Sequence, residues 1–586
     1  MGIPHLIATL ERYAEYEVLE NETVVIDGPA LAYHILYMCR ANAASQPSYG
    51  LLGQAAIAWL DELQNHRVNV QHIYFDGYLP ASKQSVRMER IMKSNTQLNL
   101  FFSSNTKGYP SPNLNSSEEL DFDVFKFGKP GTKSSLDPSF LVPAVIDAIR
   151  SCPRYQKLFS IVPGEADAYC ANYLSQNGGM VMTSDSDLLA YELAGGRVAF
   201  FREIHRNAHE KLSCATFCPR NIYKKLGLPA STDAWRLAYE RKRSTNATLP
   251  QILKACSLPI IDGVDYQEFC QQYLHHEKAT LPTTRQNNTL SLDGLDPRLS
   301  ELLLQLGQMR PNSNLNGLNA KIFLPILIES PEKGTAWEPS TPIRRLAYSI
   351  ATWILLPTPS ASVHEYRRVQ NRDQKGREVS LLPWNVVSTK ADHLLSLMRQ
   401  LKHKLSDVDK YFWTLFCLAL NIMECEEQGK YCHVLQILRQ SKKPPSNPGD
   451  KVPWDLVHFT AQLQASYYSF RILSQVLFLI PKQGLDSLSK GLLQVRDLLS
   501  EFPPLPQFPD TRDALSLLEV ANKSQFLTIL EELTNITSTL ELEVKKAEKP
   551  KETKKRKKKG SEPPRKVPTT PGKPSKDNMF SLLAVD

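Results

Sequence analysis

Over the first two hundred residues, short β-rich runs alternate with helical periodicities. Thr-Val-Val-Ile (23–26) and Val-Gln-His-Ile-Tyr-Phe (70–75) each lead into Asp-Gly. Met-Val-Met-Thr (180–183) is a third run, and a fourth is expected at Arg197–Phe201. Helical patterns lie between them, notably Leu51–Gln64. Strands alternating with helices predict an α/β fold with a mostly parallel central sheet. Such sheets bind ligands beyond the carboxyl ends of their strands, which draws attention to the acids that follow the runs.

Residues 102–137 are polar throughout and read as a long insert, with a helix resuming near Pro138–Arg150. Residues 276–295 read as a linker. A helix is expected to start at Asp296-Pro297, an N-cap acid followed by proline at the first helical position. The rest is predicted α-rich. Leu485, Leu488, Leu492, Val495 and Leu499 form one core-facing stripe, and Phe526, Leu530, Leu533 and Leu540 another, with a Pro-rich connection at 441–454. The expected organisation is an α/β domain over 1–230, a helical extension and linker over 231–295, a helical domain over 296–544 and a disordered basic tail over 545–586.

Charge changes this picture only at the end. Residues 545–577 hold fourteen Lys/Arg and four Asp/Glu, so a chain of net +8 has a remainder of −2. Lys-Lys-Arg-Lys-Lys-Lys (554–559) is expected to act as a nuclear import signal or a phosphate contact, which predicts a nuclear protein. The apolar end 578–586 reads as a docking peptide or a frayed terminus. The ten cysteines show no paired spacing, which favours a reducing compartment. The first residues lack the pattern of a secretory signal. The longest apolar runs, of about twelve residues, are too short to span a bilayer, so no membrane partner is expected.

Six acids stand where the strand rule points. Asp27 and Asp76 end the first two runs. Glu165 and Asp167 open the helix in Pro-Gly-Glu-Ala-Asp-Ala, and Asp185 and Asp187 follow the third run. Each placement alone reads as a turn or a helix cap. Together they would crowd like charges, which raises carboxylate pKa values until a cation removes the penalty. Oxygen-only ligands select a hard ion such as Mg²⁺ or Mn²⁺, one or two in number, suited to phosphodiester hydrolysis. The spacing His205, His209, Cys214, Cys218 is cramped for a tetrahedral zinc site and is set aside.

Met-Gly-Ile-Pro at the start, Val-Val-Ile-Asp27, Tyr-Phe-Asp76-Gly, Pro-Gly-Glu165-Ala-Asp167-Ala and Ser-Asp185-Ser-Asp187-Leu-Leu together resemble the XPG/flap endonuclease superfamily, which has a PIN-like nuclease domain. Within it the chain is most similar to the asteroid branch, particularly its fungal members. Arg-Leu-Ala-Tyr-Glu (236–240), Leu-Asp-Pro-Arg-Leu-Ser-Glu-Leu (295–302) and Val-His-Glu-Tyr-Arg-Arg (363–368) have the same look. The resemblance implies metal-binding roles for the six acids and places Gly2, as a new amino terminus, near the site. It also implies that Lys83 and Arg90 face the scissile phosphate. The expected activity is structure-specific cleavage of branched or single-stranded DNA, with DNA preferred to RNA. A protein partner is further expected at the helical half or at 578–586.

The sequence departs from that family in three places. The seventh acid of flap endonucleases has no counterpart, because Leu-Gly-Leu (226–228) leads into a basic stretch, Arg241-Lys242-Arg243. A glycine-rich loop for gripping duplex DNA is missing. The insert at 102–137 is expected to replace much of the helical arch. The alternative function is therefore a catalytically inactive nucleic-acid or protein scaffold.

Overall fold

The computed structural model describes residues 2–534, apart from 43–45, 111–119, 126–135, 229–230, 261, 275–279, 285–287, 310–319, 357–361, 369–375, 406–410, 440–450, 481–488 and 519. The first nine strands are β1 (Glu15–Val18), β2 (Thr23–Asp27), β3 (Asn69–Asp76), β4 (Tyr109–Pro110), β5 (Phe159–Val162), β6 (Met180–Thr183), β7 (Arg197–Phe200), β8 (His205–Arg206) and β9 (Leu212–Phe217). All but β4 form one sheet in the order β1-β9-β7-β6-β2-β3-β5, with β8 paired to β9. The stretch β7-β6-β2-β3-β5 is parallel throughout, and β9 and β1 extend it antiparallel. From β2 the chain builds outward through β3 to β5, then returns to the other side of β2 with β6 and β7. The crevice between β2 and β6 is thus a topological switch point.

Val24, Val25 and Ile26 on β2 are all fully buried, as expected for a central parallel strand covered on both faces. Asp27 ends β2 and caps the next helix, Gly28–Ala41, accepting from the Ala30 N–H at 3.2 Å with proline in the first turn. Tyr49–Asn65 and Leu141–Ser151 pack together, and Trp59 is fully enclosed.

The predicted fold class holds. The predicted strands appear with bounds shifted by one residue or less. Four strands escaped the periodicity because they are short or polar: β1, β5, β8 and β9. The helix at Asp296 forms as expected, over Pro297–Gln308, its cap accepting from the Arg298 N–H at 3.0 Å.

Two expectations need correction. The insert begins later than 102, because one helix runs over Gln84–Ser104 and so takes in residues 102–104, with β4 following at Tyr109–Pro110. The second half is α-rich as expected, yet the helical domain over 296–544 also holds short strands. Strands β10 (Ala320–Phe323), β11 (Ser362–Tyr366) and β12 (Arg377–Ser380) form a small sheet, β10 parallel and β12 antiparallel to β11. Finally β13 (Lys451–Val452) pairs antiparallel with β4, inside what had read as a connection. Leu492, Val495, Leu499, Phe526, Leu530 and Leu533 are buried as the stripes required. Leu485, Leu488, Leu540 and the whole basic tail lie outside the described residues. Among the described residues, no helix is long and apolar enough to cross a membrane.

Trp454–Phe478 is the axis of the second half. It is buried almost all round, as a helix apolar on every side must be. Its Arg471 holds Asp147 of the Leu141–Ser151 helix, with Nη2 at 2.9 Å from Oδ1, and reaches Asp296 Oδ2 at 3.4 Å. Tyr468 donates to Asp296 Oδ1 at 2.6 Å and stacks on Phe140 with ring centres 4.5 Å apart. The two halves are therefore joined through buried charge and stacked rings.

Candidate metal centre

The parallel order brings the carboxyl ends of β5, β3, β2 and β6 side by side, and the six acids stand at those four ends. Asp27 is buried, while Asp76, Glu165, Asp167, Asp185 and Asp187 are half-buried. Asp76 Oδ1 accepts from the Ala166 N–H at 2.7 Å, so the end of β3 caps the Ala166–Asn177 helix. Thr183, the last residue of β6, donates to Asp27 Oδ2 at 2.6 Å and accepts from the Asp185 N–H at 2.9 Å. Asp185 Oδ1 in turn accepts from the Asp187 N–H at 3.1 Å. The cap and turn roles that each acid could play alone are thus real, and they coexist with the clustering.

Burial raises the Asp27 carboxyl to about 7 against the pull of the Thr183 hydroxyl, with Asp76 and Asp185 adding repulsion. Burial lifts Asp76 to about 6 despite the Ala166 N–H. It lifts Asp187 to about 7, aided by Asp185, and it raises Asp185 as well. Asp167 is raised well above the ordinary carboxylate range by burial and then by the charges of Asp27, Asp185, Asp76 and Asp187. Five aspartates therefore feel one another across one rim. Asp187 Oδ1 is also buried with no hydrogen-bond partner.

Donor set, mutual repulsion and that orphaned oxygen all suit a hard divalent cation. In the described residues, however, no three His, Cys, Asp or Glu side chains close to ligand spacing about a single point. The zinc pattern does not assemble either: His205 is engaged by the Tyr16 hydroxyl and the Glu203 carbonyl, and Cys214 is buried in β9.

Gly2 lies against the site. A Cβ there would sit 2.2 Å from Asp185 Oδ1, and its φ of +128° suits glycine alone, so the chain start needs this residue to approach so closely. The Ser186 hydroxyl donates to the Ile3 carbonyl at 3.1 Å, and Arg241 Nε donates to the Pro4 carbonyl at 3.2 Å. Lys83 Nζ is 2.7 Å from Glu165 Oε1. Burial lowers its pKa, but Glu165, Asp167 and Asp187 more than offset that, so its net shift is upward. Arg90 is exposed one and a half turns into the Gln84–Ser104 helix, and its charge reaches Asp185. Sequence reasoning missed Thr183, which bonds Asp27, and Ser186 and Arg241, which hold the Ile3 and Pro4 carbonyls, because all three contacts join segments remote in the sequence. It also missed Lys242, whose charge lowers Asp187 from the last turn of the Ser231–Arg243 helix.

The chain also resembles known proteins. A family model described as XPG domain containing matches residues 137–381, which include Glu165, Asp167, Asp185 and Asp187. That stretch, with the acidic rim it helps to build, is similar to an XPG-type domain. The chain is also 23% identical over 402 residues to Asteroid homolog 1 of Schizosaccharomyces pombe, covering 64% of this chain and 65% of that protein. The chain is thus similar both to the XPG domain and to an asteroid-type protein.

Proposed function

We propose that the chain is a structure-specific nuclease that hydrolyses phosphodiesters of branched or single-stranded DNA with the help of Mg²⁺ or Mn²⁺. The observation that carries this reading is the set of five aspartates whose pKa values are driven up by burial and by one another at the switch point of the sheet. A fold tolerates that much unpaired like charge where a cation compensates it. A bound divalent ion would activate water and neutralise charge building on the phosphate. Asp27, Asp76, Asp167, Asp185 and Asp187 would hold it, and Glu165 would contribute if it exchanged its contact with Lys83. Lys83 and Arg90 supply fixed positive charge at the same rim, where a phosphorane-like transition state gains negative charge.

One observation favours an inactive nucleic-acid scaffold. The Lys83–Glu165 pair and the Lys242 charge already neutralise part of the cluster from within the chain. Cleavage of flap, fork and single-stranded substrates with Mg²⁺ or Mn²⁺ decides between the readings. Cutting is expected to fall by about a hundredfold or more in Asp185→Ala and Asp187→Ala, the scale of lost transition-state stabilisation at such sites. Cutting that persists in both variants would come from a contaminant. No cutting at all, with DNA binding undiminished in Asp27→Ala, would establish the scaffold.

A further inference from the structure

The Gln84–Ser104 helix carries the rim cations, yet little in the helix itself holds it in place. Of its 21 residues only Ile91 and Leu98 are buried. In a folded protein most helical stability comes from tertiary packing rather than from propensity. Beyond those two side chains and the Lys83–Glu165 pair at its start, contacts from the second half of the chain reach both of its ends. At the near end, Lys321 Nζ donates to Gln84 Oε1 at 2.9 Å, and Arg87 pairs with Glu301 while its guanidinium lies 4.9 Å from the centre of the Phe323 ring. At the far end, about 31 Å away at the usual helical rise, the indole of Trp454 closes over the helix terminus. Its Nε1–H donates to the Asn105 carbonyl at 2.8 Å. Its ring lies 4.9 Å from Phe102, 5.7 Å from Tyr109 and 6.4 Å from Phe101. Just beyond, Tyr109 pairs with Val452 in the β4–β13 ladder. The crossing is tight at Gly108, where φ is +138° and a Cβ would meet the Val452 carbonyl at 2.8 Å.

We infer that the second half of the chain is a clamp that sets the cationic helix over the acidic rim, with Trp454 as the positioning residue of its far end. Trp454 touches neither the acids nor a substrate. It acts through the helix, by fixing where Lys83 and Arg90 stand before any nucleic acid arrives. Pre-placed charge of this kind needs no reorganisation during reaction. The consequence for turnover rests on the nuclease reading, whereas the clamp itself does not.

Hydrogen exchange of the full chain tests it, comparing wild type with Trp454→Ala and Trp454→Phe in the absence of metal and DNA. In Trp454→Ala, peptides covering 92–105 should exchange at least about tenfold faster, the signature of a locally opened helix, while the sheet peptides stay protected. Trp454→Phe keeps a ring against Phe102 and loses only the Nε1–H bond, so its exchange should lie between the two. In cleavage assays, kcat should fall by about tenfold in Trp454→Ala with KM within about twofold, and Trp454→Phe should recover most of it. Unchanged exchange over 92–105 in both variants would overturn the clamp. Faster exchange with unaltered kcat would overturn the positioning role. Should Trp454→Ala unfold throughout, Trp454→Phe decides, and wild-type protection there would count against the proposal. A wild type that cuts nothing would end the nuclease reading, yet the exchange result would still decide the clamp.

Discussion

At the scale of single residues, the acidic rim has a stability cost with a definite sign. Asp187 is held at about 7 by burial and by Asp185, against an ordinary value of 3.8. Asp27 stands equally high and Asp76 at about 6. Between these limits the unfolded chain has released protons that the folded chain still binds, so unfolding free energy falls as pH rises from about 4 to about 7. The metal-free protein should therefore melt at lower temperature at pH 8 than at pH 5. Asp187→Asn removes one of the charges and should flatten that dependence, raising the pH 8 melting temperature by roughly 1–3 °C, as expected for a gain of about 1 kcal/mol in a large chain. A wild-type melting temperature that does not fall between these pH values would refute the crowding on which the metal reading stands. The residue identities of this site were legible in the sequence because strand-end position is a one-dimensional property. Their partners were not. Nothing in the order of residues says that Thr183 would lie beside Asp27, since that contact exists only because β6 returns to the opposite side of β2 from β3.

Elements join through buried ion pairs, and these explain what periodicity could not reveal. Val-His-Glu-Tyr-Arg-Arg (363–368) carries the asteroid look, yet its charges are structural. Glu365 meets Arg344 with both side chains fully buried, and Arg368 Nε meets buried Glu329 at 2.6 Å. A strand so rich in charge does not read as β-structure on composition, which is why β11 and its small sheet went unnamed within a domain expected to be α-rich. The Asp147–Arg471 contact is the corresponding joint between the two halves, with Asp147 1% exposed and its carboxyl held low because Arg471 outweighs the cost of burial. Asp147→Asn should leave the guanidinium short of its counter-charge and cost about 3–5 kcal/mol, the range for breaking a buried pair from one side. Chemical denaturation would read this directly. A loss under about 1 kcal/mol would mean that Asp296, 3.4 Å from the same arginine, suffices alone.

Across the whole molecule, charge is divided rather than balanced. The basic segment 545–577 carries +10 while the remainder sums to −2, so the folded body has no net attraction for a polyanion. Whatever binding the body achieves must be local, as at Lys83 and Arg90 beside the acidic rim. Long-range capture of DNA would then fall to the tail, and selection of the scissile phosphate to the rim. These two contributions separate by salt, because each phosphate contact adds about 0.7–0.9 to the logarithmic salt slope. Truncation at residue 544 should make the slope for single-stranded DNA shallower by several contacts and weaken binding at about 50 mM salt far more than at about 200 mM. The position of any cut should not move, since the five aspartates and the clamped helix remain. A truncated chain that binds with an unchanged slope would place the phosphate contacts on the body. In that case the +10 segment has some other partner, and Lys83 and Arg90 carry more of the affinity than their small number suggests.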